Sequence, residues 1–180
     1  MKGQISGEAP IGPRMGQCPV RGEALMRVLL TGGAGYIGST VSAELIDRGH
    51  RVTVLDSLEK GHRGAIHPDA GFIQGDLASN QVLSEAFAKG PFDAVMHFAA
   101  YIEAGESMRS PARFFRNNTG NTLRLAEAAV QHGVKKFIFS STAAVYGDPQ
   151  ALPIDESHPN QPTNAYGMAK LLADQALDWI

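Results

Sequence analysis

The run Val28-Leu29-Leu30-Thr31-Gly32-Gly33-Ala34-Gly35-Tyr36-Ile37-Gly38 decides how this chain is read. An apolar strand runs straight into a glycine-rich turn and then into an amphipathic segment with Ile37, Val41 and Leu45 at four-residue spacing. Three physical demands meet in such a turn: a sharp exit from the strand, a backbone with no Cβ in the way of a pyrophosphate, and close packing of the next helix on the sheet. Glycine satisfies all three. The free N–H groups and positive dipole end of the helix then face the ligand's negative charge. The spacing fits G-x-G-x-x-G counted from Gly33 or G-x-x-G-x-x-G counted from Gly32. Either alone is a weak signal, because a glycine-rich turn between strand and helix exists without a ligand too. The segment Arg51-Val52-Thr53-Val54-Leu55-Asp56 strengthens it. This second short strand ends in a carboxylate about 20 residues beyond the glycines, where a dinucleotide fold places its acceptor for the adenosine ribose hydroxyls. A carboxylate there repels a 2′-phosphate, so NAD is expected rather than NADP, with Lys60, His62 and Arg63 nearby as the opposing charges.

Composition narrows the class. A formal net charge of -2 with ordinary apolar content gives no electrostatic pull toward nucleic acid or a membrane surface. Cys18 is the only cysteine, so neither a disulfide framework nor a cysteine metal site is expected, and a reducing cytoplasm fits. Residues 1–25 are rich in Gly, Pro and polar residues and hold no hydrophobic run of signal-peptide or membrane-span length. They are expected to form a disordered leader, with Met26 a candidate start. Residues 26–180 are expected to form one NAD-binding domain, whose roughly 155 residues can bury about two-thirds of their unfolded surface.

Strands and helices alternate after Met26, the pattern of a parallel sheet covered on both faces. Strands are expected near 27–31, 51–56, 72–74, 92–98 and 135–141, and helices near 35–48, 79–89, 112–132 and 163–180. Right-handed crossovers give an α/β, doubly wound, Rossmann-type sheet of order 3-2-1-4-5, with the crevice at the carboxyl ends of the strands. Gly75-Asp76-Leu77 follows the third strand, and Asp76 either caps the next turn or accepts from the adenine amino group. The fourth strand ends in His97-Phe98-Ala99-Ala100, small residues against which a cofactor can lie. His97 points away from the crevice if Phe98 and Ala100 line it, and reads as a core-edge histidine with no catalytic role. Asn117, Asn118, Thr119 and Asn121 fall in the middle of the 112–132 helix, although they are weak helix formers. They form a solvated face, or Asn117 braces the active-site backbone or the cofactor.

The reactive groups lie in the last two elements. The fifth strand turns from apolar to hydroxyl-bearing at Ser140-Ser141-Thr142, and Tyr166-Gly167-Met168-Ala169-Lys170 opens the final helix. Tyr and Lys four apart share one helical face. An isolated tyrosine is almost wholly protonated at neutral pH. A neighbouring ammonium and a cationic nicotinamide favour its phenolate in a partly dry cleft, and the strand-end hydroxyls orient a substrate oxygen. A Tyr-x-x-x-Lys pair alone is usually structural. Its order here, after the glycine turn, the strand-end Asp and the hydroxyl-rich strand end, is what makes it specific.

On these residues the sequence resembles the extended short-chain dehydrogenase/reductase family from Met26 to Ile180. The likeness adds Asp56-Ser57-Leu58, Gly105-Glu106-Ser107, Asn117-Asn118 and Phe139-Ser140-Ser141-Thr142-Ala143-Ala144-Val145-Tyr146-Gly147 to the motifs above. The resemblance implies bound NAD, Tyr166 as base, Lys170 as its activator and ribose ligand, and Thr142 on the sugar 4-hydroxyl. Around the cofactor it implies Gly32, Gly35, Tyr36, Ile37, Gly38, Asp56, Ser57, Asp76, Leu77, Phe98, Ala99, Ala100 and Asn117. The branch it resembles inverts C4 of a UDP-hexose through a 4-keto sugar, in galactose metabolism. The implied partners are a UDP-sugar and, at full length, a second copy of the chain.

Two departures qualify it. Ile102 stands where some members carry a lysine to the cofactor phosphates, and many members have serine at the position of Thr142. Ala143 and Ala144 replace the acid and carboxylate that the family's dehydratases need, which favours epimerisation. Epimerases of UDP-xylose or UDP-glucuronate, and a non-catalytic NAD-binding fragment, remain the alternatives. Members continue into a further strand and a smaller sugar-binding domain, so the expectation is a chain truncated before the substrate domain, with little activity alone.

Overall fold

A computed structural model describes residues 24–180. The leader expected over 1–25 therefore lies outside the described residues, apart from Ala24 and Leu25. Five parallel strands form one sheet: β1 (Arg27–Thr31), β2 (Arg51–Asp56), β3 (Gly71–Gln74), β4 (Ala94–His97) and β5 (Lys136–Phe139). Their order is β3-β2-β1-β4-β5, the doubly wound order expected from the alternation, and every pair is parallel. Between them run α1 (Tyr36–Asp47), α2 (Asn80–Phe87), α3 (Ala104–Arg109), α4 (Pro111–Phe114) and α5 (Asn121–Gln131), and α6 (Ala165–Leu177) follows β5.

Strand alternation sorts the core into two layers. Leu29, Leu55 and Val95 face α2 and α5, packing with Leu83, Phe87, Leu125 and Ala129. Val28, Leu30, Val54 and Ala94 face the other way, against Val41 and Leu45 of α1. β1 is buried along almost its whole length, as a central strand covered on both faces must be.

Three expectations need correction. The fourth and fifth strands are shorter than 92–98 and 135–141, because the chain leaves the ladder as it enters the cleft: Phe98 to Ala100 and Ser140 to Thr142 are irregular. The helix expected over 112–132 is instead α4, a π-helical segment Phe115–Gly120, and α5. The extra residue per turn lands on the polar run 117–119, where side chains bond to other elements. The helix α3 has too few residues for a legible apolar period and was not expected.

The candidate active site

The carboxyl ends of β1, β2, β4 and β5 and the start of α6 enclose a cleft of about 550 Å³. The glycine turn forms its floor, and the structure chooses between the two spacings. Gly32 has φ +76°, and a Cβ on it would sit 2.5 Å from the Ala99 nitrogen. A Cβ on Gly38 would sit 2.2 Å from the Gly32 carbonyl, so the first turn of α1 can lie on the strand exit only if that residue is glycine. Gly35 meets almost nothing, its nearest neighbour being the Gly32 carbonyl at 3.4 Å. Gly32, Gly35 and Gly38 line the cleft, whereas Gly33 packs against Val54 on the opposite side. The working spacing is G-x-x-G-x-x-G from Gly32. No side chain caps α1, so its first N–H groups are left for a ligand, as an anion site at a helix N-terminus requires.

Asp56 is buried and ties this turn to the next loop: Oδ2 accepts from the Ala34 N–H at 2.9 Å and Oδ1 from the Leu58 N–H at 2.8 Å. A carboxylate has about four lone-pair sites, so acceptor capacity remains on the cleft side. Asp76 holds the turn that follows it and stands at the cleft. Its Oδ1 accepts from the Ala78 N–H at 2.8 Å, and the residue lines the cleft beside Leu77. Tyr36 and Ile37 are exposed within the cleft wall rather than packed on the sheet, which removes Ile37 from the apolar stripe of α1. Ser57, Phe98, Ala99, Ala100 and Asn117 complete this half. Ile102 also lines the rim and is 66% exposed. At the mouth, ion pairs Lys60–Glu103 (3.0 Å) and Arg113–Glu59 (2.9 Å) join the loop after β2 to the segment after β4.

The other half holds Ser140, Ser141, Thr142, Tyr166 and Lys170. Thr142 caps the short 3-10 turn Ala143–Val145, accepting from the Ala144 N–H at 3.2 Å. Two side chains fix the start of α6: Asn164 Oδ1 accepts from the Gly167 N–H at 2.8 Å, and Ser107 Oγ accepts from the Tyr166 N–H at 3.0 Å. Ser107 is fully buried and donates its own proton to the Ala104 carbonyl at 2.6 Å, so α3 serves as a bracket for the tyrosine. Lys170 is 2% exposed; its ammonium donates to the Ser140 carbonyl at 2.8 Å and lies 4.4 Å from the Phe139 ring centroid. Burial pushes it down to about 8, with Asp174 pulling the other way.

His97 is held away from the cleft, as read from the alternation. The Thr122 hydroxyl donates to the Asn118 carbonyl (2.6 Å), so it accepts from His97 Nε2 (2.8 Å), and Nδ1 is left to accept from Thr31 Oγ1 (2.6 Å). This network assigns the neutral Nε2–H tautomer, and burial holds the group at about 3.

Of the readings open for Asn117, a solvated face or a brace of the backbone or the cofactor, the backbone brace falls to its neighbour. Asn118 accepts from the Tyr101 N–H at 2.9 Å and donates to the Tyr101 carbonyl at 2.8 Å, fixing the backbone after β4. Asn117 faces the cleft and donates to Asn118 Oδ1 at 2.9 Å. Ser107 and Asn118 were missed as supports because a tertiary hydrogen bond leaves no periodic signal. Asp174 was missed although its spacing, four residues past Lys170, was there to be read.

A family model described as the NAD dependent epimerase/dehydratase family matches residues 28–180. A UDP-glucose 4-epimerase of Streptococcus mutans is 48% identical over 156 residues, covering 86% of this chain and 47% of that protein. The crystal structure of UDP-glucose 4-epimerase from Brucella ovis in complex with NAD superposes with a TM-score of 0.82 at 40% identity, over 85% of this chain and 47% of that one. The UDP-Glc/GlcNAc 4-epimerase of Campylobacter jejuni gives 0.81 at 43%, over 85% and 48%. The chain thus spans about half the length of the relatives it matches.

Proposed function

Because this chain belongs to the NAD dependent epimerase/dehydratase family, we propose that its cleft holds NAD and that Tyr166, Lys170 and Thr142 serve the C4 epimerisation of a UDP-hexose. The observation that carries this reading is convergence: the glycine cradle, Asp56, the strand-end hydroxyls and the Tyr166–Lys170 pair all line one cleft. The residues fit the cofactor. A side chain at Gly32 or Gly38 would collide with backbone, the open space at Gly35 and the uncapped α1 N-terminus suit a pyrophosphate, and Asp56 keeps lone pairs for ribose hydroxyls.

When bound, NAD supplies a reversible hydride acceptor for the sugar C4. The protein's part is to move the 4-hydroxyl proton and hold the sugar. Thr142 orients that hydroxyl, Tyr166 takes its proton as phenolate and returns it when the 4-keto sugar is reduced on its other face, and Lys170 stabilises the phenolate. Ala143 and Ala144 put no acid beside Thr142, which supports epimerisation over dehydration. UDP-glucose and UDP-galactose are the proposed pair. A full-length homodimer seated on α5 and α6 belongs to the same proposal, supported by the exposed Met168 and Leu172 on α6, as does a cytoplasmic location, which the single cysteine fits.

The test titrates NAD into this chain by calorimetry and follows UDP-galactose conversion in a chain extended to the length of the relatives it matches. Tyr166→Phe should leave NAD binding unchanged and cut turnover by ~10²–10⁴, the range of a positioned acid–base group. A chain that binds no NAD, or a Tyr166→Phe variant with unaltered turnover, would overturn the reading.

A further inference from the structure

We propose that Asp174 is a positioning residue of this site, the counter-charge behind Lys170 and the anchor of the Ser141 strand end. The proposal deepens the reading above, since it takes Lys170 as the partner of Tyr166. Tyr166, Lys170 and Asp174 lie four residues apart along one face of the thirteen-residue α6. The first two line the cleft and the third, half-buried, sits one turn further along outside it, where its Oδ2 accepts the Ser141 hydroxyl proton. The carboxylate and the Lys170 ammonium thus bond to adjacent residues just past β5, Ser141 and Ser140.

Asp174 is a charged neighbour that favours the ammonium of Lys170. From β5 the lysine meets the Phe139 ring and the Ser140 carbonyl, which are polar or polarisable but uncharged. From β4 it faces His97, which the Thr31–Thr122 network holds neutral. On α6 its neighbours are Tyr166 and Asp174. Burial drives the ammonium toward its neutral form, and Asp174 opposes that. Without the carboxylate a larger fraction of Lys170 is neutral near pH 7, and the stabilisation it gives a Tyr166 phenolate falls with it.

The experiment follows the Lys170 titration in the 180-residue chain by NMR of ¹³C,¹⁵N-lysine, with the resonance identified by its loss in Lys170→Arg. Asp174→Asn keeps an oxygen for the Ser141 hydroxyl but removes the charge, and its Lys170 midpoint should fall by about one pH unit. Asp174→Glu should restore it, and Ser141→Ala, which keeps the charge, should move it far less. A folded Asp174→Asn chain with an unchanged midpoint overturns the proposal, as does a shift in Ser141→Ala equal to that in Asp174→Asn. If Asp174→Asn does not fold, Asp174→Ser, which also removes the charge and keeps a small polar side chain, carries the same expectation. NAD titration of the same samples separates the two claims. Failure to bind NAD removes the functional reading, whereas the Lys170 midpoint alone decides the role of Asp174.

Discussion

Two buried bases, Lys170 and His97, flank the end of β4 and β5, and both are held toward their neutral forms by burial. Each makes stability depend on pH with a definite sign. Lys170 titrates at about 8 in the folded chain against 10.5 in an unfolded one. Between those values the unfolded chain keeps a proton that the folded chain has released, so stability rises with pH across that window, by up to ~1.4 kcal/mol per unit. His97, at about 3 against 6.5, acts likewise on the acid side: its contribution is complete above 6.5 and is lost as pH falls toward 3. Urea denaturation of Lys170→Met should therefore keep the acid loss and flatten the rise between pH 8 and 10.5. If the alkaline rise persists in the variant, some other group produces it. His97 also shows what alternation can decide at this scale: position in a strand told that it faces inward, and only the surrounding hydroxyls told which nitrogen carries the proton.

At the scale of elements, the π-helical segment Phe115–Gly120 joins three parts of the site. Within three consecutive residues, Asn117 turns to the cleft, Asn118 to the backbone of Tyr101, and Thr119 to the Ala169 carbonyl of α6 at 2.7 Å. The segment thereby ties the strand end of β4 to the helix that carries Tyr166 and Lys170. Asn118→Ala should destabilise the fold by about 1–3 kcal/mol, because the Tyr101 N–H and C=O both lose their partner. It should also weaken NAD binding through the displaced backbone. Asn117→Ala should weaken NAD binding with little loss of stability. Chemical denaturation beside NAD titration distinguishes them; equal stability losses in the two variants would mean that the bracing is shared. The polar run 117–121 announced that the helix was irregular here, but the choice between a solvated face and a brace needed the neighbouring elements.

At the scale of the molecule, the sheet is covered on one face by α1 and on the other by α2 and α5, while α6 packs beside α4, α5 and the π segment. Met168 and Leu172, one turn apart on α6, remain exposed on the side away from the cleft residues Tyr166 and Lys170. Such a pair on the outer face of a packed helix fits the proposed homodimer. Leu172→Glu should convert the dimer to monomer in sedimentation velocity while leaving NAD affinity unchanged. A monomer in sedimentation of a chain extended to the length of its relatives would remove that part of the proposal. No helix among the described residues is long and apolar enough to cross a membrane.

The sequence by itself determined the sheet. Short apolar strands alternating with amphipathic helices point to a right-handed doubly wound sheet, and 3-2-1-4-5 is the order formed, whereas the choice of Gly32 and Gly38 as the glycines the turn needs came from backbone contacts in the fold. It also determined which residues meet, because a doubly wound sheet gathers the carboxyl ends of its strands into one crevice whatever the intervening sequence. Tertiary structure alone decided how those residues are held. Ser107 on the Tyr166 N–H, Asn118 on Tyr101 and Asp174 on Ser141 join positions 59, 17 and 33 residues apart. Hydrogen bonds of that reach are directional and satisfy single buried groups, so they leave no period and no composition bias along the chain. Hydrophobic burial is summed over whole faces, which is why the layers were legible from the sequence and the braces were not.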